Sequence, residues 1–366
     1  MFDPKIPFNP PFLPPKNIDF MTPKIVMALV EARAELGELK GYGFSLPDPL
    51  ILLSPAVIKD AIASSKIENI HTTMINALQN LVVEEAEQRG PDKEVFRYRE
   101  AILYGYSEIR KSKMPICTRT ILAIKNNLMP KYKRDSYREE QNHIKNTATG
   151  EIIYTPPEAQ KIGDLMKNFE EFLNTEALYY PMDPLIKNAI AHYQFETIHP
   201  FEDGNGRTGR ILMVLHLIQE NILYFPILFI SEYLNKNKEE YYSKLLNVTK
   251  NEAWEDFIIF ILKGFASQAK ITKKILFQIM SKFEDFKERI KAEIPKIYSI
   301  ELIEKLFTYP ITTPIRLAKD INVHYTTASR YLKALNKKGF LGNVHIGKYN
   351  FFINQELIDI LNRRNG

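Results

Sequence analysis

The chain has 366 residues, of which 45% are apolar, and a formal net charge of +5. This length indicates two or three domains, the apolar fraction excludes a disordered chain, and the mild charge does not by itself indicate a partner. The single cysteine, Cys117, excludes an internal disulfide framework and a Cys-rich zinc site, and it fits a reducing compartment.

We expect a cytoplasmic protein that does not enter the membrane. The first residues lack the basic-then-apolar pattern of a signal peptide. The most apolar stretch, 211–230, is interrupted by His216, Glu220 and Pro226, so it predicts a core helix followed by a turn.

The N-terminal part of the chain is predicted to begin extended and continue as helices. Six prolines crowd the first fifteen residues, which excludes a regular helix there. Apolar residues at helical spacing predict helices over 23–39, 55–85 and 92–110. We expect Gly41 and Gly43 to end the first of these helices, and a break in the second near 68–72.

The middle of the chain combines a short β-hairpin with further helices. Residues 141–154 place β-forming residues on both sides of Gly150, which predicts a hairpin that turns near this glycine. Helical spacing then recurs over 158–173, 184–198, from within 206–210 to about 221, over 254–279, and over 284–294, which is a charged connector.

The C-terminal segment, 299–354, is predicted to fold as a winged helix-turn-helix, because three helical patterns precede two strands around Gly347. Between Thr312 and Tyr349 only Asp320 is acidic. The basic residues there are Arg316, Lys319, Arg330, Lys333, Lys337, Lys338 and Lys348. The basic excess favours DNA as a partner. A module for protein contact or dimerisation remains the alternative.

The strongest chemical signal is the stretch 199–210, His-Pro-Phe-Glu-Asp-Gly-Asn-Gly-Arg-Thr-Gly-Arg. Its glycines permit a tight turn, and a helix that starts here directs backbone N–H groups at an anion. Arg207 and Arg210 lie three apart on the first turn, where each can hold a phosphate. Asp203 is suited to Mg²⁺, and His199 can accept a proton near neutral pH. Together these residues predict phosphoryl or nucleotidyl transfer.

Gly204, Gly206 and Gly209 also match the G-x-G-x-x-G pattern of dinucleotide-binding folds. That interpretation requires a strand before the first glycine, whereas a helical segment and His-Pro-Phe stand there. The chain contains no G-x-x-x-x-G-K-[ST], so a P-loop is excluded.

The stretch 199–210 resembles the signature of the Fic domain, H-x-F-x-[DE]-G-N-G-R-x-x-R, at every constrained position. The resemblance extends from the N-terminal helices to about residue 265. It implies a mainly α fold, a Fic-type helical bundle with a small β-hairpin flap, followed here by the winged helix. It also implies an enzyme, a protein adenylyltransferase, that transfers AMP from ATP to a Ser, Thr or Tyr hydroxyl.

The resemblance assigns a role to each position of the stretch. His199 takes the proton of the target hydroxyl and Asp203 holds Mg²⁺. Asn205 and the glycine backbone bind the α-phosphate, Arg207 binds the β-phosphate and Arg210 binds the γ-phosphate. The complete set of ATP-binding positions is Gly204, Asn205, Gly206, Arg207, Thr208, Gly209 and Arg210, with Asn237 and Tyr241 added at the nucleoside.

The partners and domain limits follow from the same resemblance. The 141–154 hairpin is similar to the family's flap, which docks the target protein by strand addition. Targets include the chain itself, and a homodimer is expected. We divide the chain into an N-terminal helical region, a Fic catalytic domain, a linker helix and a winged-helix domain, over 1–95, 96–280, 281–298 and 299–366.

Residues 64–69, Ser-Ser-Lys-Ile-Glu-Asn, match the family's inhibitory pattern [ST]-x-x-x-E-[GN] at Ser64, Glu68 and Asn69. Ser64 and Glu68 are four apart, which places them on one face of a helix. By the resemblance, the Glu68 carboxylate pairs with Arg210 and displaces the γ-phosphate, and it also supports removal of AMP in some members. The structural alternative is a helix N-terminal capping box formed by Ser65 and Glu68.

Two further interpretations are weighed. His192 lies seven residues before His199, but no third ligand stands at useful spacing, so a packed or hydrogen-bonded histidine is favoured over a metal ligand. The alternative function for the chain is a DNA-binding transcriptional regulator whose Fic domain only senses nucleotide. The presence of His199 favours the enzyme, because a sensor needs no base.

Overall fold

The computed structural model describes residues 2–16, 18–44, 49–83, 90–132, 135–146, 149–175 and 182–362. The chain divides into two compact units, and each is discontinuous in sequence. The first unit comprises residues 1–40 and 100–269, and the second comprises 41–99 and 270–366. Within the described ranges, no helix is long and apolar enough to cross a bilayer.

Helices dominate both units. In chain order they are α1 (Pro23–Phe44), α2 (Pro49–Ile67), α3 (Met74–Asn80), α4 (Gly90–Arg110), α5 (Thr118–Leu128), α6 (Ala159–Asn174), α7 (Pro184–Ile198), α8 (Asn205–Gln219), α9 (Ile230–Lys236), α10 (Lys238–Asn251), α11 (Trp254–Glu293), α12 (Ile300–Thr308), α13 (Pro314–Asp320), α14 (Tyr325–Lys337) and α15 (Gln355–Asn362). The described residues also form two short hairpins. One pairs β1 (Ile144–Lys145) with β2 (Ile152–Tyr154), and the other pairs β4 (Gly342–Ile346) with β5 (Tyr349–Ile353), on whose free edge β3 (Ile311–Thr312) lies. This mainly helical fold is the predicted one.

Helices α7 and α8 pack against each other at the centre of the first unit. Nearly every residue of both helices is buried, which explains why neither shows a polar face in its sequence. The start of α7 is fixed by Pro184 in its first turn and by the Asp183 side chain, which accepts a hydrogen bond from the backbone N–H of Leu185 at 2.8 Å. The stretch 199–210 comprises the loop between these two helices and the first six residues of α8.

The extended start of the chain is confirmed, and it lies along the first unit. Asn168 exchanges two hydrogen bonds with the backbone of Leu13, at 2.7 and 3.0 Å. Gln194, on the buried face of α7, donates to the Pro11 carbonyl at 3.0 Å. The proline-rich segment thus satisfies side chains that would otherwise be buried without a partner.

The second unit joins α2 and α3 to the C-terminal helices. Helix α2 packs on α3, α12 and α15, and α3 packs on β3. The sheet has the order β3-β5-β4 and is antiparallel. Helices α12, α13 and α14 followed by the β4–β5 hairpin give the order predicted for a winged helix-turn-helix, with Gly347 at positive φ in the turn of the wing. Strand β3, between α12 and α13, was not predicted.

Several helix limits differ from the predictions. Gly41 and Gly43 do not end α1, which continues through both glycines to Phe44. The cost of about 1 kcal/mol for a helical glycine is too small to end a helix that tertiary packing supports. The predicted helix over 254–279 and the charged connector over 284–294 form one helix, α11. The predicted break near 68–72 is confirmed between α2 and α3.

Candidate active site

His199 ends helix α7 and begins the phosphate loop, which we define as residues 199–204. Its backbone is left-handed, with φ of 49° and ψ of 59°, and its N–H bonds to the Phe195 carbonyl at 3.0 Å. Such a conformation is uncommon for a residue with a side chain and is disfavoured before a proline, here Pro200. The chain therefore turns sharply at the residue that carries the imidazole.

The position of the imidazole determines which nitrogen can act as a base. Nδ1 of His199 lies 3.3 Å from the Glu196 carbonyl oxygen, which can only accept a hydrogen bond. Nδ1 must then carry the proton, and the lone pair is on Nε2. This tautomer is suited to proton abstraction from a hydroxyl.

The Asn205 side chain closes the phosphate loop. Its amide accepts from the Phe201 N–H and donates to the Phe201 carbonyl, both at 2.8 Å. The Phe201 ring is buried against Phe195 and Tyr137. Phe201 is thus the core anchor of the loop, and the Asn205 side chain holds the loop backbone.

Arg207 and Arg210 are both buried, and Arg210 has the largest fully buried side chain of the described residues. Nη2 of Arg207 lies 3.1 Å from the Met129 sulfur and 3.9 Å from Oδ1 of Asp203. Buried guanidinium groups next to the first turn of a helix form a strongly anion-attracting environment. Arg207 and Asp203 thus lie next to each other, and Arg210 lies on α8 three residues after Arg207.

Two glycines of the stretch 199–210 stand where space is restricted. Gly204 has φ of +83°, and a Cβ there would lie 2.9 Å from Cγ of Met129. A Cβ on Gly209 would lie 2.3 Å from Oε1 of Glu196. Gly204 therefore permits the turn, and Gly209 permits α8 to approach α7.

Asp203 is the residue of this loop that could hold a cation. Its side chain is 54% exposed, and its Oδ1 accepts from the Gly204 N–H at 2.6 Å. One half-exposed carboxylate next to a phosphate site fits Mg²⁺, which keeps several waters and shares its ligands with substrate phosphates.

His192 and Tyr241 form a buried pair behind the arginines. Nε2 of His192 and the Tyr241 hydroxyl are 2.7 Å apart. Burial, and then the nearby charge of Arg210, lower the pKa of His192 to about 3, so this histidine is neutral. The structure therefore shows His192 as a packed, hydrogen-bonded residue. Asn237 stands between α9 and α10, where its amide donates to the Tyr233 carbonyl at 2.9 Å.

Residues outside the signature also hold the phosphate loop. Arg138 donates to the carbonyl of His199, and Asn142 donates to that of Phe201. Sequence reasoning did not identify either, because an isolated Arg or Asn in a polar segment has no pattern of its own. Met129, which contacts Gly204 and Arg207, was missed for the same reason.

The hairpin of β1 and β2 confirms the hairpin predicted over 141–154, with Gly150 at φ of 72° in the turn. Tyr154, at its end, is buried and donates to the Thr197 carbonyl at 2.8 Å. Because Thr197 lies two residues before His199, the hairpin is attached to the helix that ends at the imidazole.

Ser64, Glu68 and Asn69 belong to the second unit and stand where α2 ends. Ser64 is buried, whereas Glu68 is exposed in the turn after Ile67. Asn69 has φ of 60°, the left-handed geometry that asparagine tolerates at the end of a helix. The capping-box alternative is wrong, because Ser65 lies in the last turn of α2 and the next helix begins at Met74 with Thr73 as its N-cap.

The comparisons with known families cover most of the chain. The sequence profile of the Fic/DOC family matches residues 115–217, and that of the Fic/DOC N-terminal region matches 26–107. The profile of the C-terminal domain of SoFic-like protein adenylyltransferases matches 283–357.

Among curated proteins, protein adenylyltransferase fic-1 of Caenorhabditis elegans is 32% identical over 136 residues, which is 37% of this chain and 25% of that protein. Protein adenylyltransferase Fic of Culex quinquefasciatus is 35% identical over 108 residues, which is 30% of this chain and 20% of that protein. The chain thus matches about a quarter or less of the length of these relatives.

Among solved structures, a Fic family protein from Desulfovibrio desulfuricans aligns with a TM-score of 0.58 and 19% identity over 93% of this chain and 98% of its own. A Fic domain-containing signaling protein from Bacteroides thetaiotaomicron aligns with a TM-score of 0.54 and 18% identity over 69% of this chain and 96% of its own. At these identities the likeness establishes the fold alone.

Proposed function

We propose that this chain, which belongs to the Fic/DOC family, transfers AMP from ATP to a Ser, Thr or Tyr hydroxyl of a protein. The observation that carries the proposal is the phosphate loop, where a histidine with its lone pair on Nε2 precedes a helix start that contains two buried arginines. The names of the curated relatives agree with this activity.

The chemistry assigns one task to each group. Nε2 of His199 accepts the proton of the acceptor hydroxyl, whose oxygen forms a bond to the α-phosphorus while the bond to the β-phosphate oxygen breaks and pyrophosphate leaves. Arg207 and Arg210 bind the β- and γ-phosphates, and the backbone N–H groups of Asn205, Gly206 and Arg207, in the first turn of α8, line the anion site. Mg²⁺, held by Asp203, would supply positive charge next to the leaving pyrophosphate.

We further propose that Glu68 restrains this activity by pairing with Arg210, with Ser64 and Asn69 shaping the end of α2. The support is that Glu68 follows the last residue of α2 in a turn that Asn69 stabilises, so the carboxylate is exposed. The same carboxylate is suited to support the reverse reaction, removal of AMP. Self-modification and a homodimer belong to the same proposal.

Labelled ATP tests the proposal directly. The wild type, Glu68→Gly and His199→Ala are each incubated with Mg²⁺ and with ATP labelled at the α- or at the γ-phosphate. We expect α-label on protein that rises in Glu68→Gly and falls by about 10²–10⁴-fold in His199→Ala. Label from the γ-phosphate, or no α-label in Glu68→Gly over a range of target proteins, contradicts the proposal.

A second function is favoured by the surface of α14. Tyr325, Thr326, Arg330, Lys333 and Lys337 are exposed on this helix, and β4, in the adjacent wing, is exposed along its whole length. A helix with exposed hydroxyl and basic groups next to an exposed wing suits the major groove of DNA. We propose salt-dependent DNA binding by this surface, which is compatible with the enzyme activity.

Fluorescence anisotropy with labelled duplex DNA at two salt concentrations measures this binding. We expect Lys333→Glu to weaken it and Lys291→Glu, which alters a charge near the end of α11, to leave it unchanged. Absence of binding at low salt refutes this second function and leaves the first unaffected.

A further inference from the structure

Arg138 has its guanidinium directed at backbone carbonyls. The residue is 3% exposed. Its Nε donates to the His199 carbonyl at 3.0 Å and its Nη1 to the Glu140 carbonyl at 2.7 Å. Its Nη2 donates to the Pro157 carbonyl, and its own backbone N–H donates to the Pro200 carbonyl at 2.9 Å. One side chain therefore joins the phosphate loop to both ends of the β1–β2 hairpin.

The loop that Arg138 contacts needs external support. His199 is left-handed and precedes a proline, and a strained conformation of this kind persists only where the surrounding structure holds it. Both carbonyls of the strained His-Pro pair accept from Arg138. The direction of the imidazole, which is fixed by this backbone, therefore depends on Arg138.

The hairpin is attached to the same loop by other contacts. Asn142, which precedes β1, donates to the Phe201 carbonyl at 2.9 Å. Tyr154, which ends β2, donates to the Thr197 carbonyl. The Thr155 hydroxyl contacts Nδ1 of His143 and donates a hydrogen bond to the Pro4 carbonyl. The hairpin and the loop thus form one hydrogen-bonded assembly, and Arg138 lies at its centre.

We propose that Arg138 is a positioning residue that sets the distance and angle between His199 and a target segment docked on the β1–β2 hairpin. The proposal rests on the adenylyl transfer proposed above. Arg138 acts through the backbone of His199 and through the hairpin, without contact to the nucleotide. Its effect is therefore expected in turnover and not in the affinity for ATP.

Only arginine suits this position. The planar guanidinium presents five N–H donors in fixed directions, whereas a lysine ammonium has three donors at a single point. Carbonyls around a buried cation satisfy its N–H groups without cancelling its charge. Burial accordingly lowers the pKa of Arg138 from its ordinary value, although an arginine remains charged near neutral pH.

The test compares Arg138→Lys with Arg119→Lys, a substitution of an exposed arginine on α5, both in the active Glu68→Gly background. We measure kcat and KM for α-labelled ATP with a protein target, the Kd for ATP, and the melting temperature. We expect Arg138→Lys to lower kcat by about 10²-fold, as misplacement of a reacting group does, with KM and Kd for ATP unchanged. Arg119→Lys should change none of these values.

An unchanged kcat in a folded Arg138→Lys protein overturns the inference, as does a parallel loss of ATP affinity. If Arg138→Lys does not fold, Asn142→Ala tests the inference in its place. This substitution removes the hydrogen bond from the half-buried Asn142 side chain to the Phe201 carbonyl, next to the contacts of Arg138. We expect a lower kcat at constant KM for ATP, and an unchanged kcat refutes the inference. No label in the Glu68→Gly parent would instead refute the proposed function, so the two failures are distinguishable.

Discussion

At the scale of single residues, the centre of the first unit contains titratable groups whose charge state the fold determines. His216 of α8 is buried, and its Nδ1 accepts from the Asn188 amide at 3.1 Å. Nε2 of His216 is 3.8 Å from Oε1 of Glu220, a distance that suggests an ion pair. Burial, and then the charge of Lys187, lower the pKa of His216 to about 3, so the imidazole is neutral and no ion pair forms near pH 7.

This shift predicts a loss of stability in acid. The pKa of His216 is lower in the folded state than its unfolded value of about 6.5, so between the two values only the unfolded chain binds the proton. The contribution of His216 is complete above about pH 6.5 and is lost as the pH falls towards 3. We expect His216→Gln to reduce the slope of unfolding free energy against pH by about 1.4 kcal/mol per unit.

Chemical denaturation at several pH values between these limits measures the slope. His345→Gln is the control, because His345 is exposed on β4 and should leave the slope unchanged. Equal slopes in the wild type and in His216→Gln contradict the prediction.

At the scale of elements, the helix that precedes Glu68 is stabilised by the C-terminal domain. Helix α2 packs on α12, and Ile303 of α12 is fully buried. An Ile→Ala change at a buried site leaves a cavity and costs about 2–5 kcal/mol. If Glu68 restrains the enzyme, a cavity that weakens the packing of α2 on α12 should also weaken this restraint.

We therefore expect Ile303→Ala to raise the incorporation of α-labelled AMP several-fold in a chain that retains Glu68, and to add nothing in the Glu68→Gly background. The control is Ile315→Ala, since Ile315 of α13 is 65% exposed. An equal rise in both backgrounds would mean that α12 acts by a route other than Glu68.

The sequence predicted the elements whose own residues encode them. The signature loop, the wing around Gly347 and the break after α2 depend on local chemistry of glycine, asparagine and apolar spacing. Helices α5, α9, α10 and α15 were not predicted, nor was the continuity of α1 through two glycines. These depend on packing against residues distant in sequence, which local pattern does not contain. Arg138 was missed because its carbonyl partners exist only after folding.

At the scale of the whole molecule, each compact unit draws on separate parts of the chain. The predicted catalytic region, 96–280, lacks the first 40 residues that the structure includes in the first unit. Those residues contribute Ile25, Ala32 and Leu36 to the core. Arg33 of α1 also binds Oδ2 of Asp183, the N-cap of α7, with its Nε at 3.0 Å and its Nη2 at 2.8 Å.

A chain that begins at residue 41 should therefore lose the cooperative melting of the first unit and its binding of ATP. Helix α7, which places His199, loses in this chain the contact of Arg33 with Asp183 at its start and the hydrogen bond of Pro11 with Gln194 on its buried face. A synthetic peptide of residues 1–40 added in trans should restore both, and the same peptide with Arg33→Ala and Leu36→Ala should restore neither. Calorimetry and ATP titration measure the two effects. Full ATP affinity in the shortened chain without any peptide would show that residues 100–269 form the site alone, and that the first 40 residues do not determine its geometry.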